Sequence, residues 1–161
     1  PLSRNRAKVY PVSDKVCIDA SLALTWLLPV EQNEIANTLR RKWDEADVEI
    51  ITAPLFHAEV TSVLREQVYF NKLLPEEGEE AFSTYLEMGV KSIDSPEIQK
   101  KAWGLAKRFN LPRTYDMQYL AVAELKDCEL WTNDKRLVNS LQGSVSRVKW
   151  LGEYDSGRHE V

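Results

Sequence analysis

The sequence predicts an α/β protein in which helices cover both faces of a parallel sheet. Short apolar runs alternate along the chain with longer segments of helical periodicity, and this alternation is typical of parallel sheets with crossover helices. A length of 161 residues fits one domain that buries a core of its own. Apolar residues make up 43% and charged residues 29% of the chain, which is typical of a soluble globular protein and excludes a disordered or fibrous one.

Five apolar runs predict the strands of the sheet. The first run, Val16-Cys17-Ile18, contains two β-branched residues and ends on a carboxylate. The later runs are likewise short, apolar and rich in strand-forming residues. The predicted strands occupy residues 16–18, 48–52, 90–93, 128–132 and 145–151.

Seven segments between these runs predict helices. Ser21 is expected to cap the first helix and Pro29 to end it, and Thr114 is expected to cap the sixth. The centre of the sixth helix, residues 119–123, is apolar on nearly all sides and must be buried. The predicted helices occupy residues 21–28, 31–46, 54–70, 75–88, 96–109, 115–127 and a final segment from 135 to about 141.

Large aromatic side chains are predicted to belong mostly to the core. The helix over 75–88 is amphipathic, with Phe82, Tyr85 and Leu86 expected to face inward. The five tryptophans fall mostly on the faces of predicted elements. We therefore expect core packing from them rather than platforms on which nucleic-acid bases stack.

A single domain is predicted over residues 15–151, between a polar leader (1–14) and a polar tail (152–161). The leader lacks the apolar core of a signal peptide, and no apolar run approaches the roughly 20 residues of a membrane helix. Cys17 and Cys128 both fall in strand-like runs. They predict buried free thiols in a reducing compartment, and hence a cytoplasmic location.

Four acidic residues stand where packing alone does not favour them. Asp19 ends the first strand and Asp134 follows the fourth, at the sheet edge where open α/β sheets bind ligands. Glu59 lies inside the apolar arc of the third helix, where an unpaired charge costs on the order of several kcal/mol. Asp116 stands in the first turn of the buried sixth helix.

Each of these acids also has a purely structural explanation. Glu59 could form a buried salt bridge with Arg65 or with a distant lysine. Asp116 and Asp134 could stabilise helix N termini through the helix dipole, an effect of about 0.3–1 kcal/mol. Four such acids near one edge of the sheet argue against coincidence.

Clustered carboxylates repel one another, so such a cluster favours either a retained proton or a bound cation. Mg²⁺ or Mn²⁺ takes oxygen ligands and keeps several waters, which suits one or two direct carboxylates with others acting through water. A site of this kind favours phosphodiester hydrolysis by a metal-activated water. The net charge of −4 gives no sign of nucleic-acid binding and mildly favours a cation site.

Hydroxyl groups flank two of the acids in mirrored order, as D-A-S at Asp19 and T-N-D at Asp134. Ser21 and Thr132, with Asn133 between the second pair, are therefore candidates to hold a water or a phosphate oxygen. Helix capping is the alternative role of both hydroxyls.

Other chemistries find little support in the sequence. The only histidines are His57, within a helix, and His159, in the tail, so a Ser-His or Cys-His triad is not indicated. The Cys and His spacing of zinc sites is missing. The six glycines are scattered and form no phosphate-binding loop.

Four segments contain the four acids: V-C-I-D-A-S, A-P-L-F-H-A-E-V, T-Y-D-M-Q-Y-L-A-V-A and L-W-T-N-D-K-R-L. Together they resemble the motifs of the PIN-domain nucleases, and most of all those of the bacterial and archaeal VapC-type toxins. The resemblance covers about residues 15–151 and implies a five-stranded parallel sheet of order 3-2-1-4-5. It implies that Asp19, Glu59, Asp116 and Asp134 bind Mg²⁺ or Mn²⁺ for cleavage of RNA, with Thr132 as a supporting hydroxyl. It further implies a homodimer and an antitoxin partner.

The sequence thus predicts a metal-dependent endoribonuclease in which Arg113, Lys135 and Arg136 contact RNA phosphates. Ordinary solvated charge is the alternative for those three cations. A PIN protein outside toxin systems, acting in RNA processing or binding RNA without cleavage, is the alternative function. A phosphorylatable receiver-like domain is a third, with Asp94 at the third strand, but Asp19 would be the only acid at the first strand.

Overall fold

The central strand of the structure is the first one, β1 (Lys15–Ile18), and four parallel strands flank it. The structure is a computed structural model that describes residues 14–154; residues 1–13 of the predicted leader and 155–161 of the predicted tail lie outside this range. The sheet order is β3-β2-β1-β4-β5, as the resemblance to the PIN-domain nucleases implies. The other strands are β2 (Glu49–Thr52), β3 (Lys91–Ser92), β4 (Leu130–Thr132) and β5 (Val148–Trp150).

Helices connect the strands in the predicted order. Those from α1 to α4 pack on one another, as do α5 and α6, and right-handed crossovers place these two groups on opposite faces of the sheet. No helix within residues 14–154 is long and apolar enough to cross a membrane. The helices are α1 (Ala20–Leu27), α2 (Asn33–Glu45), α3 (Leu55–Tyr69), α4 (Pro75–Leu86), α5 (Pro96–Arg108), α6 (Tyr115–Leu125) and α7 (Lys135–Ser140), followed after β5 by a 3₁₀ turn, Leu151–Glu153.

The core lies on both sides of β1. Cys17 is fully buried in register with Ile51 of β2 and Leu130 of β4. As predicted, Cys17 and Cys128 are both free and buried, and residues 119–123 at the centre of α6 are buried as well. The chain leaves β1 toward β2 on one side and leaves β4 toward β5 on the other, and this reversal opens a crevice at the carboxyl edge between β1 and β4.

Several local expectations are wrong in detail. The side chain of Asp19, not Ser21, caps α1 by accepting from the Leu22 amide, because Ser21 already lies inside the helix. Thr114 stands at the N terminus of α6 but makes no capping hydrogen bond with its side chain. β5 begins at Val148 rather than at 145, since the Val148 amide donates into a turn at Val145.

The inward face of α4 also differs from expectation. Phe82 and Leu86 are 40% and 65% exposed, whereas Tyr85 packs against the core. The buried residues of α4 are small, Gly78 and Ala81, and they let α4 approach α3 closely. The larger apolar side chains are therefore displaced to the rim of the contact.

Two helical glycines allow a test of this close approach. A Cβ added at Gly78 would lie 2.2 Å from Cγ2 of Val68, while a Cβ at Gly104 in α5 would meet nothing within 4 Å. We expect Gly104→Ala to raise the free energy of unfolding by about 0.5–1 kcal/mol through helix propensity. Gly78→Ala should lower it, because overpacking costs about 1–3 kcal/mol. Urea unfolding of both variants checks this, and equal gains would show that α3 and α4 separate without cost.

Candidate active site

Asp19 lies where β1 ends and α1 begins. Asp19 is 5% exposed, and its carboxylate accepts hydrogen bonds from three donors. Oδ1 accepts from the Leu22 amide at 3.0 Å and from the Ser21 hydroxyl at 2.7 Å, and Oδ2 accepts from the Thr132 hydroxyl. The carboxylate is therefore held in one orientation by groups from both α1 and β4.

The hydroxyls of Ser21 and Thr132 link this carboxylate to the segment after β4. Their oxygens lie 3.1 Å apart. The Asn133 amide donates to Ser21 Oγ at 2.9 Å, and the Asp134 amide donates to Thr132 Oγ1 at 3.0 Å. Because β1 and β4 are paired neighbours, the mirrored hydroxyls noted in the sequence form one hydrogen-bonded network.

Burial sets the electrostatic state of Asp19. It raises the pKa of this carboxyl from the usual 3.8 to about 6, against the hydrogen bonds from Thr132, Ser21 and Leu22, which lower it. The nearby charge of Asp116 adds to the rise. Near neutral pH the group is thus ionised but destabilised, which is the condition that a cation relieves.

Glu59 is half-buried on the side of α3 that faces α6. Its Oε1 accepts from the buried hydroxyl of Tyr119 at 3.0 Å. Burial raises the pKa of Glu59, the Tyr119 hydrogen bond lowers it, and the charge of Asp116 raises it. Within residues 14–154 Glu59 forms no salt bridge, and Arg65 instead lies over the ring of Tyr69.

Asp116 stands between the other acids and is open to solvent on one side. Desolvation by the surrounding protein raises its pKa, the charge of Asp134 raises it further, and Arg136 opposes the rise. Asp134 caps α7, since its Oδ1 accepts from the Arg136 amide at 2.9 Å. Asp134 thus has the helix-capping role that the sequence allowed, and it also lies close enough to Asp116 for its charge to act there.

A cleft of about 590 Å³ brings three of the four acids together. Glu59, Asp116 and Asp134 line it with Arg113 and Arg136. Asp19 lies buried behind this cleft and is coupled to it through the charge of Asp116. Leu55, Leu111 and Leu137 contribute apolar surface to the same cleft.

Lys135, the third cation expected to contact RNA, lies elsewhere. Its ammonium is 5.1 Å from the centroid of the Trp150 ring, and it does not line the cleft. The geometry thus separates Lys135 from Arg113 and Arg136.

The donor set suits a hard divalent cation. Its oxygens come from carboxylates, and no histidine or cysteine lines the cleft. Across residues 14–154 no three acidic, His or Cys side chains form a group that could by itself hold a metal ion. Such a site fits Mg²⁺ or Mn²⁺ bound by one or two direct carboxylates and by water.

Tyr119 is the participant that sequence analysis missed. Its hydroxyl is buried next to Glu59, and both burial and the Glu59 charge raise its pKa, so it stays a hydrogen-bond donor. A tyrosine within an apolar helix looks like core packing. Its position three residues after Asp116 was the only available signal.

Comparisons with known proteins agree with this architecture. No curated protein matches the chain. Solved structures that share the fold include PAE2754 of Pyrobaculum aerophilum, with 18% sequence identity over 81% of this chain and 87% of that chain and a TM-score of 0.54. A toxin–antitoxin complex from Klebsiella pneumoniae has 17% identity over 84% of this chain and 97% of that chain, with a TM-score of 0.62. VapC20 of Mycobacterium tuberculosis, a toxin that cleaves the sarcin-ricin loop, has 15% identity over 78% of this chain and 94% of that chain, with a TM-score of 0.57.

The family comparison covers most of the sequence. The model of the PIN domain matches residues 16–139, a span that contains all four acids and every strand except β5. With this match, and with its sheet in the order 3-2-1-4-5, the chain belongs to the PIN-domain family.

Proposed function

We propose that this protein is an endoribonuclease that depends on Mg²⁺ or Mn²⁺ and serves as the toxin of a toxin–antitoxin pair. The observation that carries the proposal is the convergence of Glu59, Asp116 and Asp134 on one cleft, directly in front of the buried Asp19. The pKa values of Asp19, Glu59 and Asp116 are raised, and acids of this kind at a sheet switch point are typical of functional sites. Membership of the PIN-domain family supports nuclease chemistry for them.

The cation would be held by Asp19, Asp116 and Asp134, directly or through water, with Glu59 as a further ligand or as the base. When bound, it would lower the pKa of a water and offset charge on the scissile phosphate. Asp19 is suited to hold it because Ser21 and Thr132 fix its carboxylate. The Leu22 amide and these two hydroxyls use three of the four lone pairs of the carboxylate, and the one that remains, on Oδ2, is free for a further contact.

Glu59 is suited to accept a proton from the attacking water. Burial keeps its pKa above the usual range, which makes the carboxylate a stronger base. Tyr119 occupies Oε1 and leaves Oε2 available. Arg113 and Arg136 line the same cleft and would meet the backbone phosphates of the RNA.

The partners of this protein are also proposed. One structural neighbour is a toxin–antitoxin complex, which supports an antitoxin partner. Another is a toxin that cleaves the sarcin-ricin loop, which supports an RNA substrate. Five exposed apolar side chains on and between α3 and α4 support a homodimer through this surface: Tyr69, Phe70, Leu74, Phe82 and Leu86. We further propose a cytoplasmic protein whose single domain covers residues 15–151.

Asp19→Asn tests the proposed chemistry. The amide keeps the shape of the side chain but removes the charge that would attract the cation. RNA cleavage in the presence of Mg²⁺ or Mn²⁺ should fall by roughly 10²-fold or more, while circular dichroism stays unchanged. Cleavage is measured on labelled RNA with and without EDTA.

Asp94→Asn is the matched control for that experiment. Asp94 also follows a strand, β3, but it is exposed and does not line the cleft. It should cleave RNA like the unaltered protein. Full activity of Asp19→Asn would overturn the metal assignment, and RNA binding without turnover in the unaltered protein would favour a non-catalytic module.

The stability of the metal-free protein should depend on Asp19. Its folded pKa of about 6 lies above the usual 3.8, so the folded state binds this proton more tightly than the unfolded state does. The resulting stability is complete below about pH 4 and is lost as the pH rises through about 6, by on the order of 3 kcal/mol. Urea unfolding in EDTA across this range measures the effect.

In Asp19→Asn the contribution of Asp19 should be missing, because an amide does not titrate, and only the part due to Glu59 and Asp116, whose pKa values are also raised, should remain. Added Mg²⁺ should restore stability to the unaltered protein above pH 6, since the cation binds the ionised folded state. Parallel stability curves for the two proteins would contradict the buried, destabilised carboxylate.

Tyr119→Phe tests the role of Glu59. In the unaltered protein the hydrogen bond from the Tyr119 hydroxyl lowers the pKa of Glu59. Removal of the hydroxyl should therefore raise this pKa and shift the acidic limb of the pH profile of kcat/KM upward by roughly 0.5–1 pH unit. Tyr85→Phe is the control, because its hydroxyl contacts His57 outside the cleft. A uniform loss of rate at every pH would point to a structural role for Tyr119 alone.

A further inference from the structure

Two large aromatic side chains beside the cleft are exposed. Tyr115, which precedes Asp116 and lines the cleft, is 59% exposed. Trp103 of α5 is 66% exposed, although the other four tryptophans are buried or half-buried. The expectation that tryptophans belong to the core is therefore wrong for Trp103. Because burying so large an apolar group is favourable, its exposure calls for an explanation.

A second depression connects Trp103 to the acidic cleft. It has a volume of about 410 Å³ and is lined by Trp103, Lys107 and the segment 110–114. Leu111, Pro112 and Arg113 line both depressions. The two therefore form one continuous surface path from the acids, past Tyr115, to the exposed face of α5.

Positive charge accompanies this path. Lys100 and Lys107 lie three residues before and four residues after Trp103, so all three share one face of α5. Among the residues that the structure describes, Lys107 and Arg113 form no ion pair. The nearest acid on the same face is Glu97, one turn beyond Lys100. Exposed aromatic rings flanked by unpaired cations are the features with which proteins hold single-stranded nucleic acid.

We propose that Trp103 and Tyr115 are stacking platforms for unpaired bases of a single-stranded RNA that runs from the acidic cleft onto α5. Lys107 and Arg113 contact its phosphates along this path. The proposal rests on the proposed function, since it takes the acidic cleft as the place of cleavage. It adds a strand path outside the cleft and the residues that form it, and this path requires bases that are free to leave the stack, because only such bases can reach an aromatic face.

A second copy of the chain fits this surface less well. Lysine is depleted in protein interfaces, and a two-fold axis through α5 would bring Lys100 and Lys107 of both copies together. Trp103 is also an isolated apolar group rather than part of a broad apolar patch like the one on α3 and α4. Charge complementarity favours a polyanion.

The test measures RNA binding apart from cleavage. A fluorescent single-stranded RNA of about 12 nucleotides is titrated with the full chain in EDTA, and fluorescence anisotropy is recorded. Trp103→Ala should weaken binding roughly 5- to 100-fold, as expected for one lost stacking contact. Trp103→Phe should retain most of the affinity, whereas Trp103→Leu, which keeps an apolar group without a ring face, should not.

Charge variants complete the design. Lys107→Ala should weaken binding and reduce the slope of log affinity against log salt by about 0.7. Lys126→Ala is the matched control, an exposed lysine that also ends a helix but precedes β4 at the opposite edge of the sheet; its affinity should be unchanged. Duplex RNA of the same sequence should bind all three Trp103 variants equally.

The outcomes separate this proposal from the proposed function. If the unaltered protein cleaves RNA with Mn²⁺ and Trp103→Ala binds and cleaves equally well, the strand path is wrong and the nuclease stands. If binding depends on Trp103 but Mn²⁺ elicits no cleavage, the path stands and the nuclease fails. Light scattering that shows dissociation of an oligomer in Trp103→Ala, without an effect on RNA affinity, would overturn the path in favour of a protein interface.

Discussion

The buried carboxylate of Asp19 connects the sheet to the candidate site. This side chain caps α1 at the end of β1 and accepts a hydrogen bond from the Thr132 hydroxyl of β4, the neighbouring strand. If β4 were not paired with β1, this carboxylate would be buried with fewer donors, at a cost of roughly several kcal/mol. The order of the strands and the geometry of the acids are therefore a single constraint, and neither can change without the other.

The same arrangement places destabilising charge in the folded protein. Burial raises the pKa of Asp19, Glu59 and Asp116, and Asp116 contributes to the rise at both of the other two. Hydroxyl donors offset part of this effect at Asp19 and Glu59, but Asp116 receives only the opposing charge of Arg136. Asp116 is also the acid most open to solvent. A cation that reaches the cleft would meet it first, and would relieve repulsion among all three.

Periodicity was sufficient to predict the strands, the helices and the fold class, because each element of this chain is marked by its own apolar pattern, whereas the order of the strands followed only from the resemblance to the PIN-domain nucleases. Asp19 and Glu59 could be selected as candidate site residues for a related reason. Each interrupts an apolar pattern, and the interruption can be recognised in the sequence alone. What the hydroxyls do was not visible. Serine is a typical helix-capping residue, yet Asp19 rather than Ser21 caps α1. Only the pairing of β1 with β4 shows that the hydroxyls of Ser21 and Thr132 are in contact.

Contacts between elements account for the remaining errors. Tyr119 looks like core packing until α3 places Glu59 against its hydroxyl. Phe82 and Leu86 look inward-facing until the small residues Gly78 and Ala81 take the contact with α3. Trp103 did have a signal, since lysines stand three residues before it and four after it on the same helical face. A residue's own type and spacing thus predict its element, whereas its role depends on a partner that is distant in sequence.

The spread of the four acids along the chain has a consequence for how the protein comes into being. Asp19 is synthesised first of the four acids, and Asp134 follows it by more than a hundred residues, in a segment beyond the fourth strand. A chain still under synthesis therefore holds an incomplete set of acids until almost all of the domain has left the ribosome. Parallel pairing of strands so far apart is also slow to form. A nascent or partly unfolded chain therefore cannot perform the reaction of the cleft, and the activity is present in the cell only once the domain has folded completely.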